Sequence, residues 1–276
     1  MNQELSIAFI GGGNMAAALI SGLAGKFCPM ANVHVVEVNE TSRRAWAERG
    51  ATVSAAPDAA LSRCKIWVYA VKPQVMKEVV AATRPWLKDS LAISIAAGIR
   101  AADLARWLGT EADPWPRVVR CMPNTPALIG QGVTGLAALA GVGEQDRAQA
   151  EAVLQAVGQT VWVAREDDLD GVTALSGSGP AYVFLFIEAL VEGGRAVGLD
   201  EEQSRKLALA TLAGATSLAA ESSEPPSVLR ERVTSKGGTT AAALDVLAEA
   251  GFRQAVVRAM QAAARRAQEM GDEFGK

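Results

Sequence analysis

The sequence predicts an α/β protein: a doubly wound parallel sheet followed by an all-helical domain. Three observations predict it. Short β-prone runs alternate with helical patterns, a glycine-rich turn separates the first run from the first helix, and strand signals cease after Val163. Strands interleaved with amphipathic helices favour a parallel sheet covered on both faces.

Taken in order, the strand-like runs are Leu5–Ile10, Val33–Glu37, Ile66–Ala70, Leu91–Ile95, Val118–Cys121 and Thr160–Val163. The first is followed by a helical run through Ala24. After Ala164 comes the charged stretch Arg165-Glu166-Asp167-Asp168, and then only long segments rich in alanine and leucine with helical period. The longest apolar helix is expected from Ala181 to Val197 and another from Ala241 to Ala250. The six tryptophans all lie at or before Trp162. These changes place a domain boundary near residue 165, dividing the chain into 1–165 and 166–276.

Composition narrows the function classes. Half the residues are apolar, and 27 basic side chains face 30 acidic ones, for a net charge of −3. That is not the composition of a disordered chain. Nor is there the basic excess by which a protein neutralises nucleic-acid phosphates. The most apolar run, Ala181 to Val191, falls short of the roughly 20 residues a bilayer requires and contains Glu188, so no membrane partner is expected. Cys28, Cys64 and Cys121 are too few and too scattered for a disulfide framework or a zinc site, and no metal is expected. Buried thiols and an N-terminus without an export pattern predict a cytoplasmic location.

The run Ile7–Ile10 passes directly into Gly11-Gly12-Gly13-Asn14-Met15-Ala16. This is a G-x-G-x-x-A turn between a first strand and a first helix, where dinucleotide-binding folds carry it. Gly11 permits the tight turn, Gly13 lets the backbone touch a pyrophosphate, and Ala16 lets the helix pack on the strand. Amides at the helix start then face the phosphates. Residues 1–165 are accordingly expected to bind a dinucleotide. Glu37, at the end of the second run, lies about 20 residues beyond the motif, the spacing of a carboxylate that accepts bonds from the adenosine ribose. Such a carboxylate repels a 2′-phosphate and favours NADH over NADPH, with Arg43 and Arg44 close enough in sequence to offset it.

Further along stand Ala70-Val71-Lys72-Pro73-Gln74, Ala96-Ala97-Gly98 and Met122-Pro123-Asn124-Thr125-Pro126. They are followed by Leu175-Ser176-Gly177-Ser178-Gly179-Pro180-Ala181 and Val233-Thr234-Ser235-Lys236-Gly237-Gly238-Thr239-Thr240. With the glycine turn, these blocks resemble the pyrroline-5-carboxylate reductase family, in the family's order and from residue 5 to about 260. The resemblance implies reduction of 1-pyrroline-5-carboxylate to L-proline by NADPH or NADH. It also implies a Rossmann domain followed by a helical dimerisation and substrate domain, hence a homodimer or higher homo-oligomer. Two departures stand out: Glu37-Val38 where the family often has a polar or basic pair, and Lys236 where it has proline.

The acid–base inventory agrees with an imine substrate. Alcohol dehydrogenation needs a base near neutral pH, and His34, the one histidine, sits inside a predicted strand. Lysines in the helical domain are confined to Lys206, Lys236 and Lys276. A pyrrolinium ring arrives already protonated, so its site needs orientation and a hydrogen-bonding group near nitrogen. The glycine pair before the helix at Ala241 puts amides where an anion binds. The substrate set expected there is Ser235, Gly237, Gly238 and Thr239, holding the carboxylate, with Ser176 bordering the pocket. The resemblance gives Thr240 the hydrogen bond to the ring nitrogen. The expected cofactor set is Gly11, Gly12, Gly13, Asn14, Met15, Glu37, Val71, Lys72, Pro73, Ala97, Gly98, Met122, Pro123 and Asn124. Phe184, Leu185, Phe186 and Leu190 are expected as buried core or dimer contact. A 3-hydroxyacid dehydrogenase or general imine reductase of similar two-domain build, and a non-catalytic NAD sensor, are the rival readings.

Overall fold

The computed structural model describes residues 5–24 and 27–275. In chain order its elements begin β1 (Ile7–Ile10), α1 (Asn14–Leu23), β2 (Val33–Val36), α2 (Glu40–Glu48), β3 (Thr52–Ser54), β4 (Ile66–Tyr69) and α3 (Pro73–Thr83). Then come β5 (Leu91–Ser94), α4 (Ala101–Leu108), β6 (Val118–Met122), β7 (Gly132–Ala138), α5 (Glu144–Gln155) and β8 (Gly158–Trp162). Helices complete the chain: α6 (Asp168–Val172), α7 (Gly179–Ala196), α8 (Glu201–Glu221), α9 (Pro226–Arg232), α10 (Thr239–Glu249) and α11 (Phe252–Phe274).

The strands form one sheet in the order β3-β2-β1-β4-β5-β6-β7-β8. Every pairing is parallel except β6 with β7. All four residues of β1, β2, β4 and β5 are buried, as strands covered on both faces must be. Alternate side chains feed two cores. Ile7, Phe9, Val35 and Val68 meet Leu19, Leu23 and Leu154 on one face. Ile10, Trp67 and Tyr69 meet Met76, Val80 and Leu104 on the other. The Tyr69 hydroxyl lies 2.8 Å from Thr83 Oγ1, which satisfies a phenol in a dry core.

Two strands escape the sequence reading. β3 is only three residues long, and in β7 the β-branched pair Val133-Thr134 is set between two glycines and followed by two alanines, so neither presents a sustained run of strand formers. No strand follows Trp162 among the described residues, as expected. Contacts divide the chain differently from the boundary near residue 165. One compact unit comprises residues 1–178 and 262–276, the other Gly179–Gln261. The physical reason is that α6 packs on the sheet, with Leu169 and Val172 against Gly135, and the end of α11 covers Gly98 through Met270 and Phe274.

In the helical unit α7 and α8 cross closely: a Cβ on Gly194 would lie 2.5 Å from Ser204 Oγ. None of α7 is buried, and Phe184, Leu185 and Phe186 are exposed. They are therefore not core of the single chain. The helical stretch Asp168–Ala196 contains an 18-residue window with a mean hydropathy of 1.5 and is long and apolar enough to cross a membrane, which the shorter run in the sequence does not suggest.

His34 lies on β2, buried, with Nδ1 2.9 Å from Thr52 Oγ1 and Nε2 3.3 Å from Ser54 Oγ. Burial lowers its pKa below the ordinary 6.5 and nearby Arg63 adds to this, against the opposing pull of Asp58. The unfolded chain therefore binds the proton more readily, and stability falls as pH drops below 6.5 toward the depressed value. Thermal unfolding at pH 7.5 and 5.5 checks this: the wild type loses a few degrees more on acidification than His34→Gln.

Candidate active site

Ligands on open α/β sheets gather at the carboxyl ends of the strands, where chain order reverses. Here the reversal falls between β1 and β4. Gly11 follows β1 with φ +99°, and a Cβ there would lie 2.9 Å from the Ala70 carbonyl oxygen and 3.0 Å from Val71 Cγ1. Only glycine lets these two loops touch. The Gly12 amide donates to Glu37 Oε2 at 2.7 Å, and the Asn39 amide donates to Glu37 Oε1 at 2.8 Å. Gly13 precedes α1 without a side-chain cap, and nothing lies within 4 Å of its Cβ position. The first amides of α1, those of Asn14 and Met15, thus stand at an open helix start, an arrangement that fits a pyrophosphate.

Because β1, β4, β5 and β6 run parallel, their following loops share one edge. Val71-Lys72-Pro73 enters α3 with proline in its first turn. Ala97 and Gly98 form the turn after β5, but Gly98 is buried under Met270 and Phe274. Met122, Pro123 and Asn124 follow β6. Asn124 is only 9% exposed and both of its amide groups are bonded within the protein. Burial pushes the Cys121 thiol far above its ordinary range, so it is no nucleophile.

The remaining candidates lie in the helical unit, apart from Ser176, whose hydroxyl donates to Val172 O at 3.0 Å. The Gly238 amide donates to Ser235 O at 3.0 Å, closing a turn in which Gly237 has φ +71°. Ser235 Oγ occupies the space a Cβ on Gly238 would need. Gly238 in turn begins α10 with no side-chain cap. The amides of Thr239 and Thr240 are left at a positive helix end beside the Ser235 hydroxyl, which suits a carboxylate. Lys236 is exposed in this turn.

Sequence reasoning missed two features of the sheet unit. Arg120, in the middle of β6, is buried and pairs with Glu166 at 3.1 Å and Asp170 at 3.7 Å. A lone arginine inside an apolar strand was the available signal. The bond from Asn124 to the Ser176 carbonyl had none, because it joins two distant motifs.

Residues 166–270 match the family described as pyrroline-5-carboxylate reductase dimerisation, and residues 6–98 match NADP oxidoreductase coenzyme F420-dependent. A pyrroline-5-carboxylate reductase of Pseudomonas aeruginosa is 44% identical over 272 residues, covering 98% of each chain. The structure of one from Coxiella burnetii superposes with a TM-score of 0.89 at 36% identity, over 97% of this chain and 99% of that one. One from Plasmodium falciparum with NADP bound gives 0.85 at 31% identity, over 98% and 100%. This chain belongs to the pyrroline-5-carboxylate reductase family of NAD(P)-dependent oxidoreductases.

Proposed function

We propose that the chain reduces the C=N bond of 1-pyrroline-5-carboxylate to give L-proline. One observation carries this reading: the whole chain, and not the dinucleotide unit alone, aligns with relatives of that name. A reduced nicotinamide bound at the sheet edge supplies the hydride. The amides of Asn14 and Met15 receive the pyrophosphate beside Gly11, Gly12 and Gly13, and the loops of Val71-Lys72-Pro73, Ala97 and Met122-Pro123 line the rest of the edge. In the helical unit the amides of Thr239 and Thr240, with the Ser235 hydroxyl, hold the substrate carboxylate in the turn shaped by Gly237 and Gly238, whose own amide is spent on Ser235 O, and the Thr240 hydroxyl addresses the ring nitrogen. Ser176 borders the substrate. A new C–H bond forms at the imine carbon while the π pair withdraws onto the nitrogen, which keeps the proton it brought. No base is consumed, and His34 is committed to Thr52 and Ser54 within the sheet.

NADH is the preferred cofactor in this reading. The Glu37 carboxylate, fixed by two amides, presents its charge beside the glycine turn. Arg43 spends its guanidinium on the carbonyls of Glu37 and Val38, at 2.8 and 2.6 Å, and Arg44 pairs with Glu40. The bare apolar face of α7 is covered by a second copy of the chain, in keeping with the dimerisation match. Three buried, unpaired cysteines suit a reducing cytoplasm. A single assay tests the reaction and the cofactor together. NADH oxidation is expected only on addition of pyrroline-5-carboxylate, with a lower KM than for NADPH and a gap that narrows in Glu37→Gln. Brisk oxidation of secondary alcohols without imine turnover overturns the reaction, and a lower KM for NADPH overturns the preference.

A further inference from the structure

Asn124 stands at the start of the short 3-10 turn Thr125–Ile129, where an asparagine ordinarily bends inward to cap the following amides. It does not cap. Its Oδ1 accepts the Val133 amide at 3.0 Å, and its Nδ2 donates to the Ser176 carbonyl at 3.2 Å. The chain at Ser176 explains that donor. Residues Thr173–Gly177 form a π-helical turn, with the Ser178 amide donating to Thr173 O at 2.8 Å. Four residues beyond Ser176 stands Pro180, which has no N–H to give the Ser176 carbonyl. Asn124 supplies a donor to the carbonyl that proline leaves short. A second contact joins the same two segments, since a Cβ on Gly177 would lie 2.6 Å from Met122 Cε.

We propose that Asn124 is a positioning residue. It fastens the Met122-Pro123-Asn124 loop to the turn that carries Ser176, and acts on turnover through that fastening and not by touching the cofactor. The proposal rests on the reductase reading, in which the loop lines the nicotinamide edge and Ser176 borders the substrate. π-turns inside helices are often found at functional sites, and a displacement of about 1 Å among positioning groups lowers turnover by up to about a hundredfold.

The test uses the full-length protein with Asn124→Asp, which keeps the acceptor for Val133 but replaces the donor with an oxygen, and with Asn124→Ala. Wild-type turnover of the imine establishes the reductase reading separately. Against that, both variants are expected to lose kcat by tenfold or more, while the Kd for NADH, titrated by fluorescence without substrate, stays within twofold. In a Pro180→Ala background, where Ser176 gains a helical donor, Asn124→Ala is expected to lose less than half as many decades of kcat. A tenfold weaker Kd with unchanged kcat would make Asn124 a cofactor ligand and overturn the proposal. So would variants within twofold of wild type in every parameter, an equal loss in the Pro180→Ala background, or failure of both single variants to fold.

Discussion

Thr240→Val is expected to lower kcat for pyrroline-5-carboxylate by about 10² to 10³, with the Kd for NADH and the unfolding temperature nearly unchanged. The magnitude follows from removing one directed hydrogen-bonding group whose value rises along the reaction. In the protonated imine the ring nitrogen has no lone pair, and in the proposed site its N–H would donate to the threonine oxygen. As the C=N bond is reduced, a lone pair grows on that nitrogen, and the hydroxyl is able to turn and donate to it. A hydroxyl serves in both senses, while the valine methyl serves in neither. Thr240 lies in the first turn of α10 and is only half-buried, so the isosteric exchange leaves packing intact. Thr240→Ser keeps the hydroxyl and is expected to retain most activity. Steady-state kinetics beside a thermal scan check it, and full turnover in the valine variant overturns the assignment.

Much of the candidate site is legible in the sequence because its parts are local. The glycine turn between β1 and α1 needs only neighbours in sequence, and so does the glycine pair before α10. The central strands announce themselves as unbroken apolar runs because both of their faces are covered. What escaped was set by contacts remote in sequence. β7 is a strand rich in small residues held by two neighbouring strands, and its β-branched pair Val133-Thr134 is too short a run to declare extension by itself. Gly98 reads as a ligand-loop glycine until α11 is seen to return across it. The compact unit likewise ends beyond the charged stretch at residue 165, because Glu166 within it and Asp170 just after it pair with Arg120 of the sheet.

That last group of charges governs the largest stability effect expected in the molecule. Arg120→Met should destabilise the sheet unit by about 3–5 kcal/mol, the cost of breaking a buried ion pair from one side. Its side chain is 5% exposed and those of Glu166 and Asp170 are 23% and 14%, so water cannot replace the guanidinium. Glu166 is committed further, since its Oε1 accepts the Ala101 amide at 2.6 Å at the start of α4. Burial already pushes the Asp170 carboxyl above its usual range, against the pull of Arg120 and Arg100. Removing Arg120 pushes it higher, so the variant is expected to regain part of its loss on acidification, as protonation relieves the stranded charge. Neutralising the carboxylates as well, in Arg120→Met with Glu166→Gln and Asp170→Asn, should recover more than half of the deficit. Denaturant unfolding of the three proteins checks the order wild type, triple variant, single variant. A single variant as stable as the wild type would mean that the network is solvated and that α6 is held to the sheet by Leu169 and Val172 alone.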